Sequence, residues 1–187
     1  MPQFYDLGTE NNGEEFREKA KELGWNGIAT DFEVEVLENT EWGELKKDIQ
    51  RSDAEVLIYR GGDAELHKKV AEHGKVDIIM SPERGRKDSG VDQVIAKAAA
   101  ENDVAIGFNL RQLFTSRKQR THVLKHWRRN LKLCEKYGAM KLLTTGASKT
   151  GELRAPRDAA SVIDSLGFQG KEAVSKHPEK IVGSGSR

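Results

Sequence analysis

The chain is short of several features that would each announce a function class. It has a single cysteine, Cys134, so no internal disulfide can form and a cysteine-based metal cluster is excluded. Prolines number only 4, and no Pro/Gly-rich linker divides the chain. Residues 1–187 are therefore read as a single domain, with a tail expected to be flexible from about residue 178. No apolar run approaches the roughly 18 residues of a membrane helix. The opening MPQFYDLG lacks the basic-then-apolar pattern of a secretory signal. The expected setting is cytoplasmic, with no membrane partner. A Gly-rich phosphate loop is also missing, because GGD at 61–63 reads as a strand-to-helix turn with Asp63 as the helix cap.

Charge is present in quantity and unevenly spread. Residues 1–80 carry 10 Lys and Arg against 19 Asp and Glu, whereas residues 81–187 carry 21 against 11. A net charge of +1 hides this split. A basic second half points to an anionic partner, since polyanion binding depends on local basic patches and not on net charge.

Short β-rich runs alternate with helical patterns. FYDLG (4–8), WNGIAT (25–30), EVEVLEN (33–39), EVLIYR (55–60), VDIIM (76–80), VAIGFN (104–109) and KLLTT (141–145) read as strands. Helical patterns separate them, one with Asp63 and Gly74 at its ends and one with Ser89 and Asp92 spaced for a capping box. The longest helix is predicted from Arg117 to Tyr137, opened by a Ser116–Gln119 capping box and ended by Gly138. Pro156 opens another, which stops at Gly167. Repeated β-then-α order implies a parallel sheet with crossover helices. About seven units predict an α/β fold, a TIM-barrel-like (β/α) barrel, with an open doubly wound sheet as the alternative.

In such a barrel, functional groups gather where strands end. Asp6, Asp31, Arg60, Asn109 and Arg111 take such places, as does the stretch SPERGRKDSGVDQ (81–93) after VDIIM. A metal-dependent phosphoesterase needs His and carboxylate ligands at several strand ends. The histidines, His67, His73, His122, His126 and His177, occupy none of them. His122 and His126 share a helix face, but the intervening VLK supplies no glutamate, and Arg120, Lys125, Arg128 and Arg129 oppose a cation there. These two are read as solvated helix residues, and no metal site or catalytic nucleophile is expected.

The long helix carries two stripes. Leu124, Trp127, Leu131 and Cys134 form an apolar one, and Lys125, Arg129, Lys132 and Lys136 a basic one. The basic stripe can track a phosphate backbone. In the 81–93 stretch, Glu83, Arg84 and Asp88 are expected to hold the turn while Arg86 and Lys87 face phosphate.

VDIIMSPERGRKDSGVDQVIAKAAAENDVAIGFNLRQLF (76–114) closely resembles the signature region of the family of ribonuclease P protein component 3, which also includes the p-thirty subunit of eukaryotic ribonuclease P. TTGASKTGELRAPRDAASVIDSLG (144–167) resembles the family's second signature, and FYDLG its start. The resemblance implies a barrel related to metal-dependent phosphoesterases and a protein subunit of ribonuclease P, which removes the 5′ leader of precursor tRNA. It implies that the RNA subunit is the catalyst and holds Mg²⁺, that the protein binds no cofactor itself, and that it pairs with component 2. Precursor tRNA would be met indirectly. A standalone metal-dependent phosphoesterase on the same fold is the alternative. Two departures bear on it: Asp6-Leu7-Gly8 replaces the superfamily's His-x-His, and Ser81 stands where many members have His before PERGR. The RNA-binding residues expected on one face are Arg84, Arg86, Lys87, Arg111, Arg117, Lys118, Arg120, Lys125, Arg129 and Arg154.

Overall fold

Four strand runs are apolar almost without interruption, which suits strands buried on both faces of a parallel sheet. The computed structural model describes residues 1–11, 13–115 and 118–184 and bears this out. β3 (Val34–Leu37), β4 (Val56–Arg60), β5 (Ile78–Met80), β6 (Ala105–Asn109) and β7 (Lys141–Thr144) form a five-stranded parallel sheet in sequence order. β1 (Tyr5–Asp6) and β2 (Gly27–Ile28) form a separate parallel pair. Among the described residues these two ladders do not close into one barrel. The fold is a TIM-barrel-like α/β arrangement with the expected seven strands.

What encloses the barrel-like interior is side chains. Leu7, Val56, Ile58, Ile78, Met80, Ala105 and Leu142 share one buried cluster, reached by Ile181 and Val182 from the C-terminal helix. The alternate residues Leu57, Tyr59, Ile79, Ile106, Phe108 and Leu143 belong to a second cluster under the surrounding helices. β1 reaches β7 through Asp6, whose carboxylate accepts from the Thr144 and Thr145 hydroxyls and from the Thr145 N–H at 3.1 Å. The Glu10 N–H donates to the Ala147 carbonyl at 2.9 Å, extending the same seam.

Helices α1 (Glu14–Glu22), α2 (Trp42–Arg51), α3 (Ala64–His73), α4 (Gln93–Glu101) and α5 (Arg111–Thr115) follow strands or short turns, as do α6 (Arg120–Tyr137), α7 (Pro156–Ser165), α8 (Gly170–Val174) and α9 (Lys176–Gly183). Asp63 caps α3 by accepting from Leu66 N–H at 2.9 Å, and Gly74 closes it in the left-handed region.

Three sequence expectations change. Asp92 is itself the N-cap of α4, accepting from Val94 and Ile95 N–H, so Ser89 is not its capping partner. Ser89 Oγ instead donates to the Val91 carbonyl at 3.0 Å. α6 starts at Arg120; Gln119 precedes it in a helical conformation without a side-chain cap, and Ser116 and Arg117 lie outside the described residues. The segment expected as a flexible tail from about 178 is helical as far as Gly183, and α9 buries Pro178 and Ile181. Burial of apolar surface there outweighs the entropy of ordering the terminus.

Candidate nucleic-acid interface

The 81–92 turn follows β5 and must be held by something, because its backbone is strained. Ser81 takes φ +52°, uncommon for a residue with a Cβ. Gly90 sits at φ +69°, and a Cβ there would overlap the Pro82 carbonyl. The anchors come from the buried face of α6 and from α3. Trp127 Nε1 donates to Glu83 Oε1 at 2.9 Å, and Asn130 Nδ2 donates to the Ser89 carbonyl at 2.8 Å. The buried His67 ring lies between the carbonyls of Gly90 (2.8 Å) and Gly61 (2.6 Å), joining this turn to the one after β4.

Glu83 is buried and makes no ion pair with Arg84 among the described residues. Burial pushes its carboxyl up to about 7, against the bond from Trp127 and the nearby Gln112, which favour the ionised form. Gln112 Nε2 and Glu83 Oε2 nonetheless fall outside hydrogen-bonding geometry and are both buried without a partner.

The turn-holding ion pair expected of Arg84 is made by Arg86 instead. Arg86 grips Asp88 in a fork, Nε at 2.7 Å and the second amino group at 2.8 Å. That contact holds the Asp88 carboxyl down at about 2. Arg86 is thus a structural arm of the turn, while Arg84 is exposed. A two-residue separation across a tight turn favours the Arg86–Asp88 pairing, whereas Glu83 points inward.

The exposed face of α6 and this turn enclose an open groove of about 1050 Å³. Lys87, Lys125, Arg128, Arg129 and Lys132 line it and are exposed. Among the described residues none of the five pairs with a carboxylate; the ion pairs of neighbouring elements lie elsewhere, as at Lys69–Glu65, Lys97–Glu101 and Lys141–Glu135. The two acids in the groove are engaged, Asp88 with Arg86 and Asp92 with the start of α4. His122 and His126 lie against each other in the same groove, ring centroids 4.2 Å apart. His126 is buried, which corrects the expectation of a solvated pair. Its burial, then His122 and Lys125, push its pKa down.

The other expected residues scatter. Arg111 lies at the strand-end mouth, its guanidinium 3.0 Å from Glu10. Arg84 lines the same mouth with Arg60, which the sequence placed at a strand end but did not single out for binding. Arg120 Nε donates to the Leu113 carbonyl at 2.8 Å, securing the end of α5. Lys118 is exposed in the turn before α6, and Arg154 stacks 5.4 Å from the exposed Phe114 ring. Arg117 lies outside the described residues. The nine of these residues that are described do not line one cavity. Lys132, read from the sequence as part of the basic stripe, lines the groove, and so does Arg128, which was not singled out although its helical spacing from Lys125 could have found it.

The first strand end is unsuited to a metal ion. Asp6 is fully buried and both its oxygens are taken by Thr144 and Thr145, while Leu7 points into the interior cluster. These residues do not fit a phosphoesterase metal centre, and no group of three or more His, Cys, Asp or Glu side chains among the described residues is placed to hold a metal ion. No helix among the described residues is long and apolar enough to cross a membrane.

Comparison with known proteins agrees with the resemblance. The family described as RNase P subunit p30 matches residues 37–187. The ribonuclease P protein component 3 of Methanosarcina barkeri is 32% identical, the match covering 97% of this chain and 89% of that protein. The protein of that name from Methanococcoides burtonii is 32% identical over 96% of this chain and 87% of its own length. A chain from a cryo-EM structure of archaeal ribonuclease P with mature tRNA shares the fold, with TM-score 0.76 and 24% identity over 97% of this chain and 80% of that one. By the family match over residues 37–187 and the 32% identity over nearly the whole chain, this chain belongs to the RNase P subunit p30 family.

Proposed function

We propose that the protein is an RNA-binding, non-catalytic subunit of ribonuclease P, and that the groove between α6 and the 81–92 turn receives the phosphate backbone of the catalytic RNA. The observation that carries this is the set of five exposed cations, Lys87, Lys125, Arg128, Arg129 and Lys132, without carboxylate partners among the described residues. Each phosphate neutralised by such a cation releases condensed counterions, so affinity is gained and becomes salt-dependent. Rigid anchoring of the turn by Trp127, Asn130 and His67 fixes the spacing of these charges before RNA arrives, which lowers the entropic cost of binding.

In this reading the protein supplies no nucleophile and holds no cofactor. Mg²⁺ acts through the RNA, and the protein works as a pair with component 2. The acidic first half of the chain faces solvent or a protein partner.

The test is cleavage of precursor tRNA by the catalytic RNA at limiting Mg²⁺, with component 2 alone, this protein alone and both together. Restored cleavage with the pair, and none by the protein without the catalytic RNA, is the expected result. Cleavage without that RNA, stopped by a chelator, would overturn the reading in favour of a phosphoesterase.

A further inference from the structure

The strand-end mouth is a second concentration of positive charge, and no residue lines both it and the groove. Its cavity of about 320 Å³ lies over the ends of β4, β5 and β6. Arg60 ends β4, Arg84 comes from the turn after β5, and Arg111 follows β6, so three separate elements bring an arginine to the lining of one space. Convergence of this kind comes from tertiary structure and is not expected of a merely solvated surface.

One carboxylate lies on the cavity wall. Glu10, on the segment after β1, stands 3.0 Å from Arg111 and 3.9 Å from Arg60. Glu38 and Glu152 approach the same two arginines from outside the cavity lining, at 3.6 and 3.9 Å. Arg84 has no carboxylate partner among the described residues. Gln112, on the wall, has its Nε2 buried and without a hydrogen-bond partner. Ser81, also on the wall, is held at its strained positive φ. Such strain persists where the surroundings over-determine it, and it gathers at binding sites. Inside the mouth, then, three cations face a single carboxylate.

We propose that this mouth is a binding site for one phosphoryl group, and that the Glu10 carboxylate occupies it in the free protein as an internal substitute. Guanidinium forks match both carboxylate and phosphate oxygens in pairs, but a phosphoryl group has more than two oxygens and up to two negative charges, so it can engage three arginines where a carboxylate cannot. The incoming group takes over Arg60 and Arg111 from Glu10 and adds Arg84, which Glu10 leaves unused. No bond is made or broken. The site is independent of the proposed RNA groove, so either can fail without the other.

The experiment is an NMR titration of the arginine Nε–H signals of the full chain with inorganic phosphate, at constant ionic strength and with chloride as the control. Saturable shifts at Arg60, Arg84 and Arg111 are expected. Glu10→Gln removes the internal competitor and should tighten phosphate binding up to about fivefold, the fold-change corresponding to a partly exposed ion pair. Arg84→Ala should weaken it, and Lys125→Ala, in the groove, should leave it unchanged. Shifts no larger than those from chloride, or Glu10→Gln binding no tighter than wild type, would overturn the proposal. Short RNA oligonucleotides with a 5′-phosphate or a 5′-hydroxyl then separate the sources. Shifts from the phosphorylated strand alone assign the site to a terminal phosphate, and equal shifts from both assign it to the backbone. Shifts from inorganic phosphate and from neither strand assign it to free phosphate.

Discussion

The indole N–H of Trp127 donates to Glu83 Oε1 at 2.9 Å, and through this buried bond α6 holds the turn that carries Arg84, Arg86 and Lys87. The anchor is a carboxyl group in an apolar setting, so it couples the turn to pH. Burial raises the folded carboxyl to about 7, above its ordinary 4.5. The folded state therefore holds this proton more tightly than the unfolded chain, and the stability from it is lost as pH rises from 4.5 to about 7. Glu83→Gln keeps an acceptor for Trp127 and cannot ionise. It should stabilise the protein at pH 8 by roughly 2–3 kcal/mol and leave stability near pH 4 almost unchanged. Thermal melts of both proteins across that range check it; parallel curves would show that Glu83 does not titrate in the window.

The same turn offers a backbone test. Gly90 combines φ +69° with contact against the Pro82 carbonyl and Gly90 N–H donation to Asp88 at 2.8 Å. Gly90→Ala should cost about 2 kcal/mol or more in denaturant unfolding, since strain and overlap add. Gly85→Ala, where φ is +72° but nothing crowds the position, should cost less. Equal losses would show that the Pro82 contact contributes nothing.

Charge removal in the groove should read out in salt dependence. Lys125→Ala with Arg129→Ala should lower affinity for the catalytic RNA and reduce the slope of log K against log salt by about 1.4 to 1.8, two phosphate contacts' share. Circular dichroism should be unchanged, because both side chains are exposed. Arg86→Ala is a poor substitute for this experiment: it also strips Asp88 of its partner. An unchanged salt slope would remove these two residues from the interface.

Asp6 joins the two ladders. Asp6→Ala leaves the buried Thr145 N–H without its acceptor and both threonine hydroxyls without a partner on β1. A loss of about 2–4 kcal/mol is expected in equilibrium unfolding. Hydrogen exchange should then quicken first along β1 and at Thr145. A loss spread evenly over the strands would argue against a local seam.

Pattern alone made the strand order readable. Apolar runs such as VLIY and DIIM, separated by capped helices, specify a parallel α/β fold because only strands buried on both faces tolerate them. The lengths of β1 and β2 were not readable in this way, since two-residue strands leave no periodicity. The extent of α9 was not readable either, because its amphipathic pattern is short and its burial depends on an interior cluster that the local sequence does not describe.

By itself the sequence determined the fold class, the family and the two-stripe character of α6, all of which follow from local spacing or from contiguous motifs. Tertiary structure decided which charges are free. Arg84 and Arg86 stand two apart in one turn, yet one is exposed and the other is locked to Asp88. Arg60 and Arg111 meet at one mouth although 51 positions separate them in the chain. A side chain's partners depend on distances across the fold, and those are set by packing between elements rather than by the order of residues within one.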